Sequence, residues 1–523
     1  MKKTIYLIIV CLAINSCNNL DLVPLDKLPA NNFYRTASEF DGAVFAAYSS
    51  IQDFWGTSTE TLNERGEYWK ITVTITDDAK AEPGSDNISI NADKLNVVSG
   101  DIPFAAVYTQ IYEGIYRANT VLEQLPLKNE LTAAEKSRFE GEAKFLRAFF
   151  HFEAMKLWGT PPLVVKLPDP NSLAISNLAT TNATKDQLFT QILADFNVAF
   201  TNLPATWDEG NTGRATKWAA KAFIGKVNVW KNDMPAAVTA FGEVIASGTY
   251  SLIDTNNPSK DLEDVFALDN ENNSESIFEI QFGGPFSDDN IWVFDDTHSE
   301  SFKASQGSGR SWFWDASNFS AGAGAPGGKL GWWTPTQDLV NSFEPGDERL
   351  NSFIYKTGDD YYVWNGGLVV DDNGDVIKYD PDWSSTGYTV KKYGGERNVV
   401  KGAFSGNGQG NFNNERIFRF SELKLLYAEA LLTSNPALAT TQVNDVRNRA
   451  GLPDLVGIAT LADIQQEKRV ELCFEPHRWF DIVRWGIGPS LFGASWDAKL
   501  VTFPIPQTEI DRTAGLIKQN AGY

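Results

Sequence analysis

Apolar residues recur at steps of three and four positions through much of the first half of the chain, which is the period of a buried helix face. Thr132 and Glu135 have the spacing of a capping box at the start of one such run. Gly159 and the Pro161-Pro162 pair would end it, so we expect one long helix between these signals. The apolar positions of this run are Phe139, Ala143, Leu146, Phe150, Ala154 and Leu157.

Three further runs share this period. Thr184 and Gln187 form a second capping box, and the run that follows it ends at Pro204. The apolar positions of the three runs are Phe40, Val44, Tyr48 and Ile51; Val107, Ile111, Ile115, Ala118 and Leu122; and Leu188, Ile192, Phe196 and Phe200. The sequence therefore predicts a largely helical N-terminal half.

The segment from Arg214 to Ser247 predicts two helices separated by a break at Asn232-Asp233. Gly225 precedes Ala237 by twelve positions and Phe241 by sixteen, a spacing typical of tetratricopeptide-type helical hairpins. A small residue lets two helices approach closely, and the phenylalanine fills the remaining gap. A second hairpin of poorer consensus is predicted between Glu422 and Arg449.

Residues 255–420 differ in character from the rest of the chain. Asn, Asp, Gly and Ser dominate, and short strands are predicted at Ser276–Phe282 and Leu368–Tyr379, the latter with a turn at Asn373-Gly374. The segment also contains seven of the sixteen tryptophans: Trp292, Trp312, Trp314, Trp332, Trp333, Trp364 and Trp383. Loops on a rigid scaffold commonly carry binding residues, so we interpret this segment as a ligand-facing insertion.

Composition supports a globular protein and excludes some partners. The 523 residues are 42% hydrophobic, and 45 basic against 67 acidic side chains give a net charge of −22. Such a charge repels phosphate backbones, so nucleic-acid binding is not expected and polyanionic ligands are disfavoured.

The N-terminus has the pattern of an exported lipoprotein. Lys2-Lys3 and an apolar run from Ile5 to Ile14 precede Asn15-Ser16-Cys17, which predicts a signal peptide over residues 1–16. The position of Cys17 resembles a bacterial lipobox, so we expect lipidation there and a polar leash over residues 17–30. Asn15 is an unusual residue for a lipobox, and the alternative is an ordinary signal peptide with an incidental cysteine.

Several segments in order resemble the SusD/RagB family of outer-membrane nutrient-uptake lipoproteins of Bacteroidetes. They include Asn32-Phe33-Tyr34-Arg35, EGEAKFLRAFFHFEAMKLWGTPPLVV, RFSELKLLYAEALL and EKRVELCFEPHRWFDIVRWG. The resemblance implies a mainly α fold with four tetratricopeptide-type hairpins, in a single domain over residues 31–523. The helical scaffold would span 31–254 and 421–523, and the irregular ligand-facing insertion 255–420. It also implies a SusC-like, TonB-dependent barrel transporter as partner and a location at the cell surface.

Indoles of the insertion are the candidate ligand-binding residues. Stacking one face of a sugar ring on an indole buries ~80 Å² of apolar surface, worth about 2 kcal/mol. Because association costs at least ~4 kcal/mol, a platform needs two or three rings. The candidates are Trp312, Trp314, Trp332, Trp333 and Trp292, with Asp315, Asn318 and Asp338 to bond hydroxyl groups. The alternative is that these indoles close the core of an irregular region.

Other motifs favour structural roles. The segment from Trp479 to Trp485 is predicted to pack as a helix, with ion pairs Glu475–Arg478 and Asp481–Arg484. The histidines, His151, His298 and His477, are predicted to be structural. The G-x-G-x-x-G match at 322–327 lacks a strand before it, and Asp371, Asn373 and Asp375 fit a hairpin turn better than a calcium loop. We therefore expect no catalytic residue, cofactor or metal ligand.

The resulting hypothesis is a non-enzymatic cell-surface lipoprotein that binds an oligosaccharide or polysaccharide and delivers it to the transporter. One alternative is a peptide- or glycopeptide-binding protein on the same scaffold. A more remote alternative is a surface glycoside hydrolase, whose paired carboxylates are defined by their separation in space. The identity of the glycan cannot be read from the sequence.

Overall fold

A computed structural model describes residues 34–55, 67–127, 130–168, 181–257, 261–282, 313–317, 324–326, 330–363, 367–395 and 413–523. Across these ranges the fold is mainly α-helical with short strands, as predicted. The predicted signal peptide, Cys17 and all of the leash lie outside them.

The α-helices account for most of the regular structure. In chain order they are α1 (Ala37–Trp55), α2 (Glu67–Thr72), α3 (Asn87–Asp93), α4 (Ile102–Gln124), α5 (Ala133–Trp158), α6 (Lys185–Asn202), α7 (Lys217–Trp230), α8 (Met234–Ala246), α9 (Gln337–Ser342), α10 (Arg349–Phe353), α11 (Phe420–Leu431), α12 (Pro436–Arg449), α13 (Leu461–Glu471), α14 (Arg478–Trp485), α15 (Gly488–Phe492) and α16 (Gln507–Arg512).

Helix α5 is the central element of the scaffold. It begins at the predicted capping box, where Thr132 Oγ1 accepts from the Glu135 amide and the Glu135 carboxylate accepts from the Thr132 amide. It ends before Gly159, which has a positive φ of 70°. From Phe145 to Trp158 every side chain is buried, because α1, α4 and α6 all pack against this helix.

Four packed helix pairs form the scaffold, in agreement with the predicted four hairpins. The pairs are α1 with α4, α5 with α6, α7 with α8 and α11 with α12. Helix α6 also packs on α7, and α8 packs on α11, so successive pairs share one continuous core.

The predicted glycine–phenylalanine contact holds the third pair together. A Cβ on Gly225 of α7 would lie 2.4 Å from Cε1 of Phe241 on α8, so only glycine fits at this crossing. The same arrangement joins α4 to α5, where a Cβ on Gly114 would lie 2.3 Å from the Phe150 ring. The sequence analysis identified the first contact but not the second.

The strands form four two-stranded antiparallel sheets within the described residues. The pairs are β1 (Ala79–Ala81) with β3 (Trp333–Pro335), β2 (Ser276–Ile280) with β8 (Glu415–Arg419), β4 (Ile354–Tyr355) with β7 (Thr389–Val390), and β5 (Tyr362–Val363) with β6 (Gly367–Leu368). Ser276 faces Arg419 in the β2–β8 register, so the chain leaves and re-enters the scaffold at one place. The sheet thereby joins two strands that lie near the beginning and at the end of the predicted insertion.

The hairpin predicted at Asn373-Gly374 is confirmed. Val370 bridges Val376, and Gly374 has a φ of 87°. One carboxylate oxygen of Asp371 accepts from the amides of Asn373 and Asp375, and these bonds hold the pKa of Asp371 below its ordinary value.

The insertion contains a small aromatic core of its own. Tyr355, Tyr361, Tyr379 and Trp383 are all buried there, and the Tyr361 and Trp383 rings lie 5.0 Å apart. Trp383 is therefore a core residue. Two-stranded sheets are marginal alone, and this cluster supplies the hydrophobic contacts that stabilise them.

The C-terminal helices close the scaffold through a buried ionic cluster. We name the arginine cluster the three residues Arg349, Arg419 and Arg449, whose guanidinium groups surround the carboxylate of Glu471 at 3.2, 2.9 and 2.5 Å. Burial opposes the charge on Glu471, but the three arginines hold its pKa well below the ordinary value. The cluster joins α10, α12, α13 and the end of β8.

The two ion pairs predicted around α14 have different outcomes. Asp481 and Arg484 pair at 2.7 Å, as predicted. The Glu475–Arg478 prediction is wrong, because α14 begins only at Arg478 and Glu475 lies outside the helix. Glu475 instead contacts Lys392 at 2.6 Å and Arg419 at 2.8 Å, whereas Arg478 contacts Asp77 at 2.6 Å.

None of the helices within the described residues combines the length and apolar character needed to span a bilayer.

Candidate functional site

The site is built around strand β3, which follows Trp332. The two neighbouring tryptophans, Trp332 and Trp333, differ in burial. Trp333 is fully buried, and its indole N–H donates to Ser89 Oγ at 3.0 Å. Trp332 is only half-buried. It is the one candidate indole within the described residues that retains solvent-exposed surface.

Residues distant in sequence hold the backbone at Trp332 in place. Its carbonyl oxygen accepts from the Glu82 amide at 2.8 Å and from Ser85 Oγ at 2.9 Å. Oε1 of Glu82 accepts in turn from Thr334 Oγ1, from the Ser385 amide and from Ser385 Oγ, at 2.8–3.0 Å. The buried Glu82 carboxylate therefore ties the loop after β1, strand β3 and the turn at Ser385 together.

The ring of Phe313 packs against the indole of Trp332. The Phe313 ring stacks on Trp333, with centroids 4.5 Å apart and planes 14° apart, and lies 5.3 Å from the Trp332 ring. Such offset aromatic contacts add to the stability gained from area burial alone. Trp332 thus rests on a layer of packed rings and presents its remaining surface to solvent.

The structure corrects the expectation that Trp314 and Trp333 display their faces to solvent. Trp314 is buried, and its ring contacts those of Trp69 at 5.7 Å and Phe474 at 5.9 Å. Both indoles complete the core, because their apolar area is covered by neighbouring rings. For these two residues the alternative interpretation is therefore correct, namely that the indoles close the core of an irregular region.

Asp315 also has a different environment from the one expected. The residue is buried, and its Oδ1 accepts from the Tyr361 hydroxyl at 2.9 Å. Burial, together with this carboxylate, raises the pKa of Tyr361 well above its ordinary value. Asp315 orients Tyr361 in the aromatic core of the insertion and does not face solvent. Trp292, Trp312 and Asn318 lie outside the described residues.

Polar side chains follow strand β3 along the chain. Asp338 follows β3, and its carboxylate is 75% exposed although Arg469 donates to it at 2.7 Å. Exposed Gln337 accepts from the Tyr388 hydroxyl at 3.1 Å. Of these three residues the sequence analysis named only Asp338. Gln337 and Tyr388 lie 51 positions apart, and no local pattern indicates that they meet.

The described residues contain no group of three or more His, Cys, Asp or Glu side chains able to hold a metal ion. His151 and His477 are buried, as their predicted structural role requires, and His298 is not described. Burial lowers the pKa of His151 to about 4, so this imidazole is neutral near pH 7 and its Nε2 accepts from the Val164 amide. Burial likewise raises the pKa of the Cys473 thiol to about 12.

Two family models match the chain. The model described as SusD family matches residues 274–502, and that described as starch-binding associating with outer membrane matches residues 44–229. A SusD-like protein of Bacteroides ovatus is 26% identical over 75% of this chain and 67% of its own length. SusD-like protein P2 of Formosa agariphila is 24% identical, with both chains covered in full.

Solved structures share the fold. A laminarin binding SusD-like protein superposes with a TM-score of 0.75 at 23% identity, over 94% of this chain and all of that one. Surface glycan-binding protein A from Bacteroides thetaiotaomicron, in complex with laminarihexaose, gives a TM-score of 0.71 at 22% identity, over 92% of this chain and 99% of that one. The two family models, which together match most of the chain, and the SusD-like relatives show that the chain belongs to the SusD/RagB family.

Proposed function

We propose that this protein binds a neutral oligosaccharide or polysaccharide at the Trp332 face and passes it to a TonB-dependent transporter of the outer membrane. The observation that carries the proposal is the half-buried Trp332, whose backbone carbonyl is held by Glu82 and Ser85 and whose ring packs beside Phe313. Membership of the SusD/RagB family, and the glycan ligands named for two proteins of the same fold, support it.

One exposed indole is insufficient for capture by itself. Stacking a sugar ring on it contributes about 2 kcal/mol, whereas association costs at least ~4 kcal/mol. The polar groups of Asp338, Gln337 and Tyr388 would supply hydrogen bonds to hydroxyl groups. Trp292, Trp312 and Asn318 remain our proposed further ligand contacts.

The delivery role rests on the N-terminus and the family. Lipidation at Cys17 would anchor the protein in the outer membrane, with residues 17–30 as a leash to a single domain at 31–523. Stable anchoring requires more than one acyl chain. Capture by a tethered protein needs only a difference in affinity between two states, so the proposed role includes no catalysis.

The proposal is tested by calorimetric titration with neutral hexasaccharides and with a peptide digest. Trp332→Ala should weaken hexasaccharide binding by about 1–3 kcal/mol, because it removes the exposed ring that stacks on the sugar. Trp218→Ala is the matched control, since Trp218 is also half-buried but lies on the scaffold helix α7. The proposal would be contradicted if only the peptide digest released heat on titration, or if Trp332→Ala and Trp218→Ala bound the hexasaccharide equally well.

A further inference from the structure

The scaffold contains a second cleft that shares no residue with the Trp332 face. It lies between α1 and β2, has a volume of about 610 Å³, and adjoins a smaller cavity of about 180 Å³. Clefts of several hundred cubic ångströms are the usual size of small-ligand sites. Five residues line both cavities: Thr212, Gly213, Arg214, Phe278 and Glu279. We name the two cavities together the scaffold cleft.

Arg214 stands between two aromatic rings in this cleft. Its Cζ lies 4.3 Å from the ring centroid of Phe45 and 5.5 Å from that of Trp207. Glu142 and Asp41 each bind the guanidinium at 2.9 Å. Although burial opposes ionisation, Glu142 keeps the pKa of Arg214 above its ordinary value. The guanidinium is therefore charged and held in one orientation.

Two polar atoms of the cleft lack hydrogen-bond partners within the described part of the chain. The Arg214 side chain is only 5% exposed, yet its Nε–H meets no acceptor there. The hydroxyl of Ser276, which lines the smaller cavity, is likewise buried without a partner. Buried polar groups are normally satisfied, so an unpartnered donor at the wall of a cleft points to a ligand oxygen, which reaches the donor when a neighbouring side chain moves aside.

The charges of the cleft favour an uncharged ligand. Glu142 and Asp41 balance Arg214 and Arg138, the latter of which also binds Asp41 at 3.2 Å. Glu279 is paired with Arg416 at 3.2 Å. No excess positive charge remains among these groups to attract a phosphate or carboxylate, and the net charge of −22 repels anions further.

The apolar surface of the cleft suits the C–H face of a sugar. Phe45 is 50% exposed, and Trp207 is half-buried on the other side of Arg214. We propose that the scaffold cleft is a second saccharide-binding site, in which a neutral sugar lies against Phe45 and one of its oxygens accepts from Arg214 Nε. This inference rests on the proposed function for the class of ligand, but not for the location of the site.

The test is a calorimetric titration of the full-length mature protein with laminarihexaose and cellohexaose. The Trp332→Ala variant should still bind the hexasaccharide at a second class of sites, which are those in the scaffold cleft. Adding Phe45→Ala, or Ala46→Trp to fill the cleft from an exposed position, should weaken that class about tenfold, the effect of losing one ring contact. Tyr116→Ala is the control, because Tyr116 is 54% exposed on α4 and does not line the cleft. Melting temperatures verify that each variant is folded.

The possible results separate this inference from the proposed function. If the wild type binds a hexasaccharide and Trp332→Ala binds none, the second site is wrong and the proposed function stands. If the wild type binds no hexasaccharide, both are overturned. Dodecanol, an apolar probe without a sugar ring, is titrated in parallel. If dodecanol binds and Ala46→Trp abolishes its binding, while no saccharide occupies the cleft, the proposed class of ligand is wrong. Unchanged binding to the second class of sites in both cleft variants would also overturn the proposal.

Discussion

Trp332 and Trp333 are adjacent in sequence, but their side chains serve different purposes. The indole of Trp333 is enclosed by Phe313 and bonded to Ser89, whereas that of Trp332 keeps part of its surface in solvent. Trp332 precedes strand β3, whereas all three residues of the strand itself, beginning with Trp333, are buried. Ligand contact and core packing are therefore separable by single substitutions at neighbouring positions.

Trp333→Ala is expected to lower the free energy of unfolding by about 3–5 kcal/mol, because it leaves a large cavity in a packed core. Trp332→Ala should cost less, since its side chain is only half-buried. Urea unfolding of the two variants measures the difference. A loss below ~1 kcal/mol for Trp333→Ala would show that this indole is not a core residue.

The sequence could locate the tryptophan-rich insertion, but it could not show which of the indoles are buried and which are exposed. Ser89 lies 244 positions from Trp333, and Ser85 lies 247 positions from Trp332. Whether an indole is buried depends on such distant partners, which leave no local pattern. The same reason explains the error at Glu475, whose partners Lys392 and Arg419 lie far from it in sequence.

Helices were more predictable because their signals are local. The capping boxes at Thr132 and Thr184 set the start of α5 and α6, and the three- and four-residue period identified their buried faces. Short strands such as β4 and β5 contain only two residues each, too few for an alternating pattern to show. Their positions follow from tertiary contacts in the aromatic core of the insertion.

Gly225 at the α7–α8 crossing allows the close packing of these two helices to be tested. Gly225→Ala should destabilise the protein by about 1–3 kcal/mol, because the new methyl group overlaps the Phe241 ring. Phe241→Leu in the same protein should relieve part of that cost, so the double variant should be more stable than the two single losses predict.

Gly42→Ala is the matched control for that experiment. Gly42 also lies inside a helix, α1, but a Cβ there would meet no atom within 4 Å. The substitution should raise stability by about 0.5–1 kcal/mol through helix propensity. Equal effects of Gly42→Ala and Gly225→Ala on the urea midpoint would contradict the close-packing account.

At the scale of the whole molecule, the arginine cluster connects the C-terminal helices to the sheet that carries the insertion. Glu275, next to β2, binds Arg449 and also Arg419. Breaking a buried pair by removing one partner costs about 3–5 kcal/mol, because it leaves charges without compensation. Glu471→Gln should therefore destabilise the entire fold at neutral pH.

The loss of stability caused by Glu471→Gln should become smaller as the pH falls. The folded pKa of Glu471 is well below that of an unfolded glutamate, about 4.3. Its stabilising contribution is thus complete above pH ~4.3 and falls as the pH drops towards the folded pKa. The difference in unfolding free energy between the wild type and Glu471→Gln should shrink as the pH falls from about 5 to about 3. A difference that stays constant with pH would refute the assigned charge.

The central claim is that a neutral glycan is captured on the Trp332 face. A crystal structure of the mature protein with bound laminarihexaose or another neutral hexasaccharide that binds in the titration tests it most directly. The account predicts a pyranose ring lying against the Trp332 indole, with carbon atoms about 3.5–4.0 Å apart. A hexasaccharide bound elsewhere, with the Trp332 indole free of sugar, would contradict it.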